Sequence, residues 1–339
     1  MAGWMDRVKV DPLPWLLDES TPAVSHLALR GLLDRPADDP DVVAAREAAM
    51  RAHPIVSILA AQDPEGWWAK PGHGYSPKYK ATVWRIIFLD QIGADGADPR
   101  VQAGCDYVLR HSQASNGGFS FRGAGLGPPA PSGAAHCLNG NLLRAVIGFG
   151  LLDDPRVQAS LAWQAAAIMG EGDVVFHQSA TTGPGFCCAM NYADPCAWGA
   201  VKAVLALARV PVDRRTPAVE RALDQGAEFL LSRDPATADY PMGRSAMPNA
   251  SWFKLGFPLG YHADVLQALE GLCEAGRGGD TRLTRALDWL VAQQDEAGRW
   301  ANRHSYSGQT GGNIDRHPSQ SKWVTLRACR VLKAVAAAE

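Results

Sequence analysis

Two adjacent thiols, Cys187 and Cys188, precede Asp194-Pro195-Cys196, and that stretch runs into the apolar segment AWGAVKAVLAL. Asp is a good helix cap and Pro suits a first turn, so the order predicts a helix start capped by Asp194. A thiol at such a start lies in a positive field that favours the thiolate, the form that binds metal. Further on, Tyr261-His262-Ala263-Asp264 opens the apolar run VLQALEGL. The carboxylate of Asp194, the thiolate of Cys196 and the imidazole of His262, all at helix starts, make a donor set of the kind zinc takes. Cys137, beside His136 ahead of a third apolar run, and Cys188 are further candidates. With those two thiols the set becomes Cys137, Cys188, Cys196 and His262, a closed structural site that leaves no position for chemistry.

These residues can meet only if the elements that carry them share one end of the fold. A single motif recurs along the chain: Gln, three residues, Gly, one residue, aromatic. It appears at Gln62-Gly66-Trp68, Gln113-Gly117-Phe119 and Gln294-Gly298-Trp300, each after a short amphipathic run. Weaker copies fall near Gly170 and near Ser232-Arg233-Asp234. Apolar helices follow at 82–93, 141–152, 199–210, 264–276 and 323–335, and 22–34 reads as the first of the set. A second helix class starts at Asp98-Pro99-Arg100, Asp154-Pro155-Arg156 and Asp280-Thr281-Arg282, with looser copies at 38–50 and 213–223. A period of this kind signals a repeat fold whose hairpins must stack to bury their faces. The expectation is all-α: one domain over 1–339, an (α/α)6 toroid of six helical hairpins with inner and outer rings. The short VVF and GGFSF pieces are at most small ribbons.

Composition bounds the partners. The 339 residues are 47% hydrophobic with a formal net charge of −2, so no basic field argues for nucleic acid. No run approaches the roughly 18 apolar residues of a transmembrane segment. Seven cysteines without dense regular spacing, and a start lacking a leader pattern, predict a reduced, cytoplasmic, soluble protein.

The Gln-x3-Gly-x-Trp repeat resembles that of the squalene cyclase and protein prenyltransferase β-subunit superfamily, the terpenoid cyclase-like α/α toroids. The resemblance implies Asp194, Cys196 and His262 as zinc ligands, with Trp198 in matching context. Carried further, it implies a prenyltransferase in which zinc presents a substrate thiolate to an allylic diphosphate. Cys188 and Asn191 stand where those enzymes hold the diphosphate with Arg and Lys, and Ala197 stands where they have Tyr. The Asp-rich acid motif of class II terpene cyclases is absent; Asp38-Asp39 and Asp153-Asp154 are the nearest pairs.

The resulting expectation is a prenyltransferase- or terpene cyclase-like protein, zinc-binding, with an isoprenoid or other apolar ligand in a central cavity. Trp84, Trp198, Trp323 and Tyr261 are the candidate ligand contacts, with Phe149 nearby. The alternative is a non-catalytic scaffold with a structural zinc, facing a protein partner or a second copy. No residue is singled out as catalytic. Lys78, Tyr79 and Lys80 precede an inner helix and read either as an anion site or as a solvated loop. The loop holding His304, Tyr306, His317 and Lys322 reads either as a lid over the same mouth or as a mobile surface loop.

Overall fold

The computed structural model describes residues 3–123, 125–171, 181–245, 247–306, 308–310 and 312–339. The inner ring is built from α2 (Pro22–Gly31), α5 (Thr82–Gln91), α7 (His136–Gly148), α9 (Ala197–Ala208), α11 (Val265–Glu274) and α13 (Lys322–Ala336). The outer ring is α3 (Pro40–Arg51) with α4 (Ile55–Ala60), α6 (Pro99–His111), α8 (Pro155–Met169), α10 (Pro217–Leu231) and α12 (Thr284–Ala292). Around the inner ring α5 packs on α7, α7 on α9, α9 on α11, α11 on α13 and α13 on α2. Gly93, just past α5, lies against Leu27 of α2 and completes the circuit. Helices α5 and α9 are buried on nearly every side, which is why they read as mostly apolar runs.

The recurring motif welds each hairpin to the next outer element. The buried indoles of Trp68 and Trp300 donate Nε1–H to the carbonyls of Ile58 and Leu290, each 2.7 Å away and 10 residues back. Their backbone N–H groups reach Thr82 Oγ1 and Thr325 Oγ1 in the first turns of α5 and α13. The Gln side chain reaches outward: Gln62 donates to the Arg100 carbonyl (2.9 Å) and Gln113 to the Arg156 carbonyl (2.6 Å). Gly66 and Gly117 have positive φ, and a Cβ on either would meet the carbonyl oxygen of Ala103 or Ala159 at 2.6 Å.

The last copy shows how the ring closes. Gln294 donates to the carbonyl of Arg7 (2.9 Å), and a Cβ on Gly298 would meet the Val10 carbonyl at 2.6 Å. The N-terminal segment, including α1 (Leu13–Leu16), therefore stands where an outer helix would follow. The weak copy ending at Tyr240 keeps the same link through a phenol, Tyr240 Oη donating to the Leu230 carbonyl 10 residues back (2.6 Å). The copy near Gly170 lies mostly outside the described residues, as does the VVF piece.

The second helix class starts as its sequence predicts. Asp98, Asp154 and Asp280 each accept the N–H of the Arg two residues on, and that Arg folds its guanidinium back onto the same carboxylate. Two details differ from expectation. The helix expected at 141–152 starts at His136, because Leu138, Leu142 and Leu143 continue the apolar face backwards. A two-residue ribbon, β1 (Ala301–Asn302) with β2 (Ser319–Gln320), closes the loop before α13.

Candidate functional site

All the inner helices run in one direction, so Cys137, Cys196 and His262 share the end where these helices begin. Residues 187–196 fold into a tight loop that returns Cys188 to Cys196. Cys188 N–H donates to the Asp194 carbonyl (3.1 Å) and Cys196 N–H to the Phe186 carbonyl (2.9 Å). Asn191 pins the loop through its side-chain amide, donating to the carbonyls of Pro195 (2.9 Å) and Pro241 (3.1 Å). The capping role expected of Asp194 is not observed. Cys196 occupies the cap of α9 with no side-chain cap bond, because Pro195 and the loop hydrogen bonds hold Asp194 one step outside.

The electrostatics of the thiols follow from this contact. The neighbouring Cys196 thiol, as a donor, holds the Cys188 thiol well below its ordinary pKa; the N–H groups of Met190 and Asn191 add to the effect. Cys196 is itself pushed up by Cys188 and by burial. Burial, with the charge of Cys188, pushes Cys137 up to about 12. The three thiols therefore feel one another at the mouth.

His262 faces a different set of groups. Its ring meets Trp198 edge-on at 4.6 Å, and its Nδ1 lies 3.1 Å from Tyr306 Oη and 3.3 Å from His304 Nε2. Burial, then the positive neighbours His304, Lys202 and Lys78, lower its pKa to about 4, so it is neutral near pH 7. Among the described residues no three His, Cys, Asp or Glu side chains are grouped to hold a metal ion. As placed, Asp194, Cys196 and His262 do not form a three-ligand set. His136 is a satisfied core histidine: its Nε2 bonds the Gly183 carbonyl (3.0 Å) and its Nδ1 accepts from Gln164 (2.9 Å).

The segment that leads to Tyr261 and His262 runs inside the ring, from Gln91 at the end of α5 to Trp198 at the start of α9. Gln91 of α5 clasps the backbone of Leu259 by both N–H and carbonyl (2.8 and 2.7 Å), and Asn141 of α7 donates to the Gly260 carbonyl (3.1 Å). Aromatic rings close around this strap. Trp84 is fully buried and donates Nε1–H to the Tyr75 carbonyl (2.8 Å); its ring packs on Tyr75, Tyr79 and Tyr261. Tyr79 stacks on Tyr306 at 4.1 Å, and the phenols of Tyr75 and Tyr261 touch at 3.1 Å. Lys78 places its ammonium 5.0 Å from the Tyr261 ring centre. The loop before α13 is thus bound to the mouth through His304 and Tyr306, whereas His317 is exposed and Lys322 reaches away to Asp18 and Ser20.

Of the four expected ligand contacts, Trp84 is a packing strut of this aromatic cluster. Trp323, in the first turn of α13, is buried and stacked on Phe257 at 4.6 Å. Phe149 is buried at the end of α7. Trp198, by contrast, lines a cleft of about 260 Å³ beside the thiols. That cleft is walled by Cys188, Cys196, Trp198, Tyr240, Met242 and Trp252. Met190 and Tyr192 stand at it with 83% and 62% of their surface exposed, among the most exposed large apolar side chains described.

Three residues here escaped the sequence reading. Tyr240 could have been found as the aromatic of the weak repeat copy. Trp252 sits in a loop with no pattern around it. Lys202 lies within an apolar run and is 1% exposed. Burial lowers its pKa to about 7, and its ammonium bonds Gln267 within the electrostatic reach of Asp264 and Cys137.

No family model and no curated protein matches this sequence. Among solved structures, the type II terpene cyclase MstE from Scytonema is 15% identical, covering 95% of this chain and 89% of that one, with a TM-score of 0.45. A protein from Actinoplanes is 15% identical over 93% of this chain and 90% of that one, TM-score 0.45. A polysaccharide lyase is 11% identical over 95% and 90%, TM-score 0.49. Likeness at this level assigns neither a family nor a chemistry, and the all-α toroid stands on the helices themselves.

Proposed function

We propose that the chain is a prenyltransferase- or terpene cyclase-like toroid that takes an apolar, isoprenoid-class molecule at its thiol-bearing mouth. The observation that carries this is the cleft beside Cys188 and Cys196. It is bordered by Trp198, Tyr240, Met242 and Trp252, it has exposed apolar residues at its rim, and it approaches the ~300–1,000 Å³ of ordinary ligand sites. Aromatic faces and thioethers suit a polyene chain and any positive charge that develops on it. Placing the ligand here differs from a site on the barrel axis, where the strap and the rings around Trp84 are packed together. No helix of the described residues is long and apolar enough to cross a membrane. The seven cysteines are free thiols, which suits a reducing compartment.

Farnesol, an uncharged prenyl alcohol, isolates the apolar part of recognition. Saturable binding by titration of tryptophan fluorescence is expected. Trp252→Ala and Trp198→Ala should each weaken it at least ~10-fold, the usual scale for losing a buried aromatic contact. Absence of saturable binding, or binding indifferent to both substitutions, would leave the non-catalytic scaffold as the better reading.

A zinc ion at Cys188 and Cys196 is a separate part of the proposal. Two neighbouring thiols are soft donors of the right type, and Cys137 lies within their electrostatic reach. The side chains of Asp194 and His262 do not complete the set as they stand, and no reaction step is routed through the metal. Elemental analysis of purified protein should give about one zinc per chain, lost in both Cys188→Ser and Cys196→Ser. Metal-free parent protein would remove zinc and leave the apolar cleft intact.

A further inference from the structure

The opposite end of the barrel carries a second site. Beyond the strap, all six inner elements contribute to a pocket of about 130 Å³ on the axis. That is several times the ~15 Å³ a single water requires. Its wall holds four guanidiniums, from Arg144 on α7, Arg209 at the end of α9, and Arg327 and Arg330 on α13. Asp90 and Glu270 are the carboxylates in the wall, and Glu274 stands behind Arg144 at 3.5 Å. Asp264 stands 3.8 Å from Arg327 as a further carboxylate.

The pairing is uneven. Glu270 engages Arg327 through three contacts of 2.6 to 3.1 Å, and Arg327 also donates to the Gly256 carbonyl at 2.8 Å. That pair is closed. Arg144 and Arg330 are less well served: the Nε of each is buried without a hydrogen-bond partner among the described residues. Arg330 donates only to the Leu27 carbonyl (2.8 Å) and is laid flat over Gly31, where a Cβ would collide with its guanidinium. Burial lowers the Arg330 pKa against the opposing pull of Glu270 and Glu274. Arg209 is exposed at the rim, so the pocket opens to solvent there.

We propose that this axial pocket binds a small phosphate-type oxyanion between Arg144, Arg209 and Arg330. A purely structural role for these arginines is to pair with the buried carboxylates around them. That role requires no open pocket and no unmatched donors. An oxyanion supplies acceptors for planar, forked donors, the geometry in which guanidinium excels. The bound group is either free phosphate or the phosphoryl head of a small monoester.

Titration calorimetry on the full chain, in a buffer without phosphate or sulfate, tests this with two probes. Inorganic phosphate or glycerol 3-phosphate should bind at one site per chain. The tighter of the two identifies free phosphate or a phosphoryl head as the natural form. Arg209→Gln, at the exposed rim, should weaken binding at least ~10-fold and keep the parent melting temperature. Arg144→Gln should weaken it at least as much. If neither probe binds saturably, or if the folded Arg209→Gln protein binds as tightly as the parent, the site does not exist and the arginines are structural.

Discussion

Trp300→Ala is expected to destabilise the fold by about 3–5 kcal/mol, the range for truncating a fully buried aromatic. The indole is 0% exposed and bonds Leu290 of α12, and its own N–H holds Thr325 of α13. It sits beside Gln294 and Gly298, which lock the last hairpin against the N-terminal segment. Removing it opens a cavity, orphans a carbonyl and loosens the joint that closes the ring. Trp67, one residue before the equivalent Trp68 and only half buried, is the control: Trp67→Ala should cost under ~1 kcal/mol. Urea titration followed by circular dichroism separates the two. Similar losses at both positions would mean that the motif aromatics are ordinary core residues rather than joints.

Cys188 is expected to be the fastest thiol on the molecule toward iodoacetamide at pH 7. Its thiolate is stabilised by the Cys196 thiol and by two backbone N–H groups, and it borders an open cleft. Cys105, buried and pushed up in pKa, and Cys329, pushed up to about 12, should be inert. The sign is fixed by the donor role of Cys196: a donor to the thiolate lowers the pKa, so the thiolate persists below the ordinary thiol range. Cys196→Ala removes that donor. The Cys188 pKa should rise, and alkylation at pH 7 should slow by at least ~10-fold, since each pKa unit is a factor of ten in thiolate fraction. At pH 10 the two proteins should react alike. A rate–pH profile unchanged by Cys196→Ala would show that the thiols do not interact.

The architecture was legible because its signals are local. Gln and Gly at fixed spacing do one geometric job three times, and Asp-x-Arg starts a helix at Asp98, Asp154 and Asp280. The site was legible to the level of which end of which helix, which is all that helix-start signals specify. Cys137, Cys188 and Cys196 do come together there. His262 reaches the same mouth, but its ring turns to Trp198, His304 and Tyr306, a choice made by packing across 40 residues of chain that no spacing encodes. The Asp194 cap failed because Asn191 and the loop carbonyls compete for the same turn. Trp84 and Trp198 look equivalent in sequence, both near inner-helix starts. Only the strap clasped by Gln91 and Asn141 makes one a strut and the other a cleft wall. The axial arginines were invisible for a related reason. Arg144, Arg327 and Arg330 read singly as ordinary polar positions of amphipathic helices, and only ring closure brings them together.

The most direct test of the cleft is to let a ligand mark its own position. A farnesol analogue carrying a diazirine on its terminal isoprene unit would be photolysed with the full chain, and the adducts mapped by peptide mass spectrometry. Labelling should fall on Met190, Tyr192, Met242 or Trp252, and excess farnesol should suppress it. Adducts confined to the arginine-lined pocket near Trp323 and Leu326, or labelling that farnesol does not compete, would contradict a prenyl site beside Cys188 and Cys196.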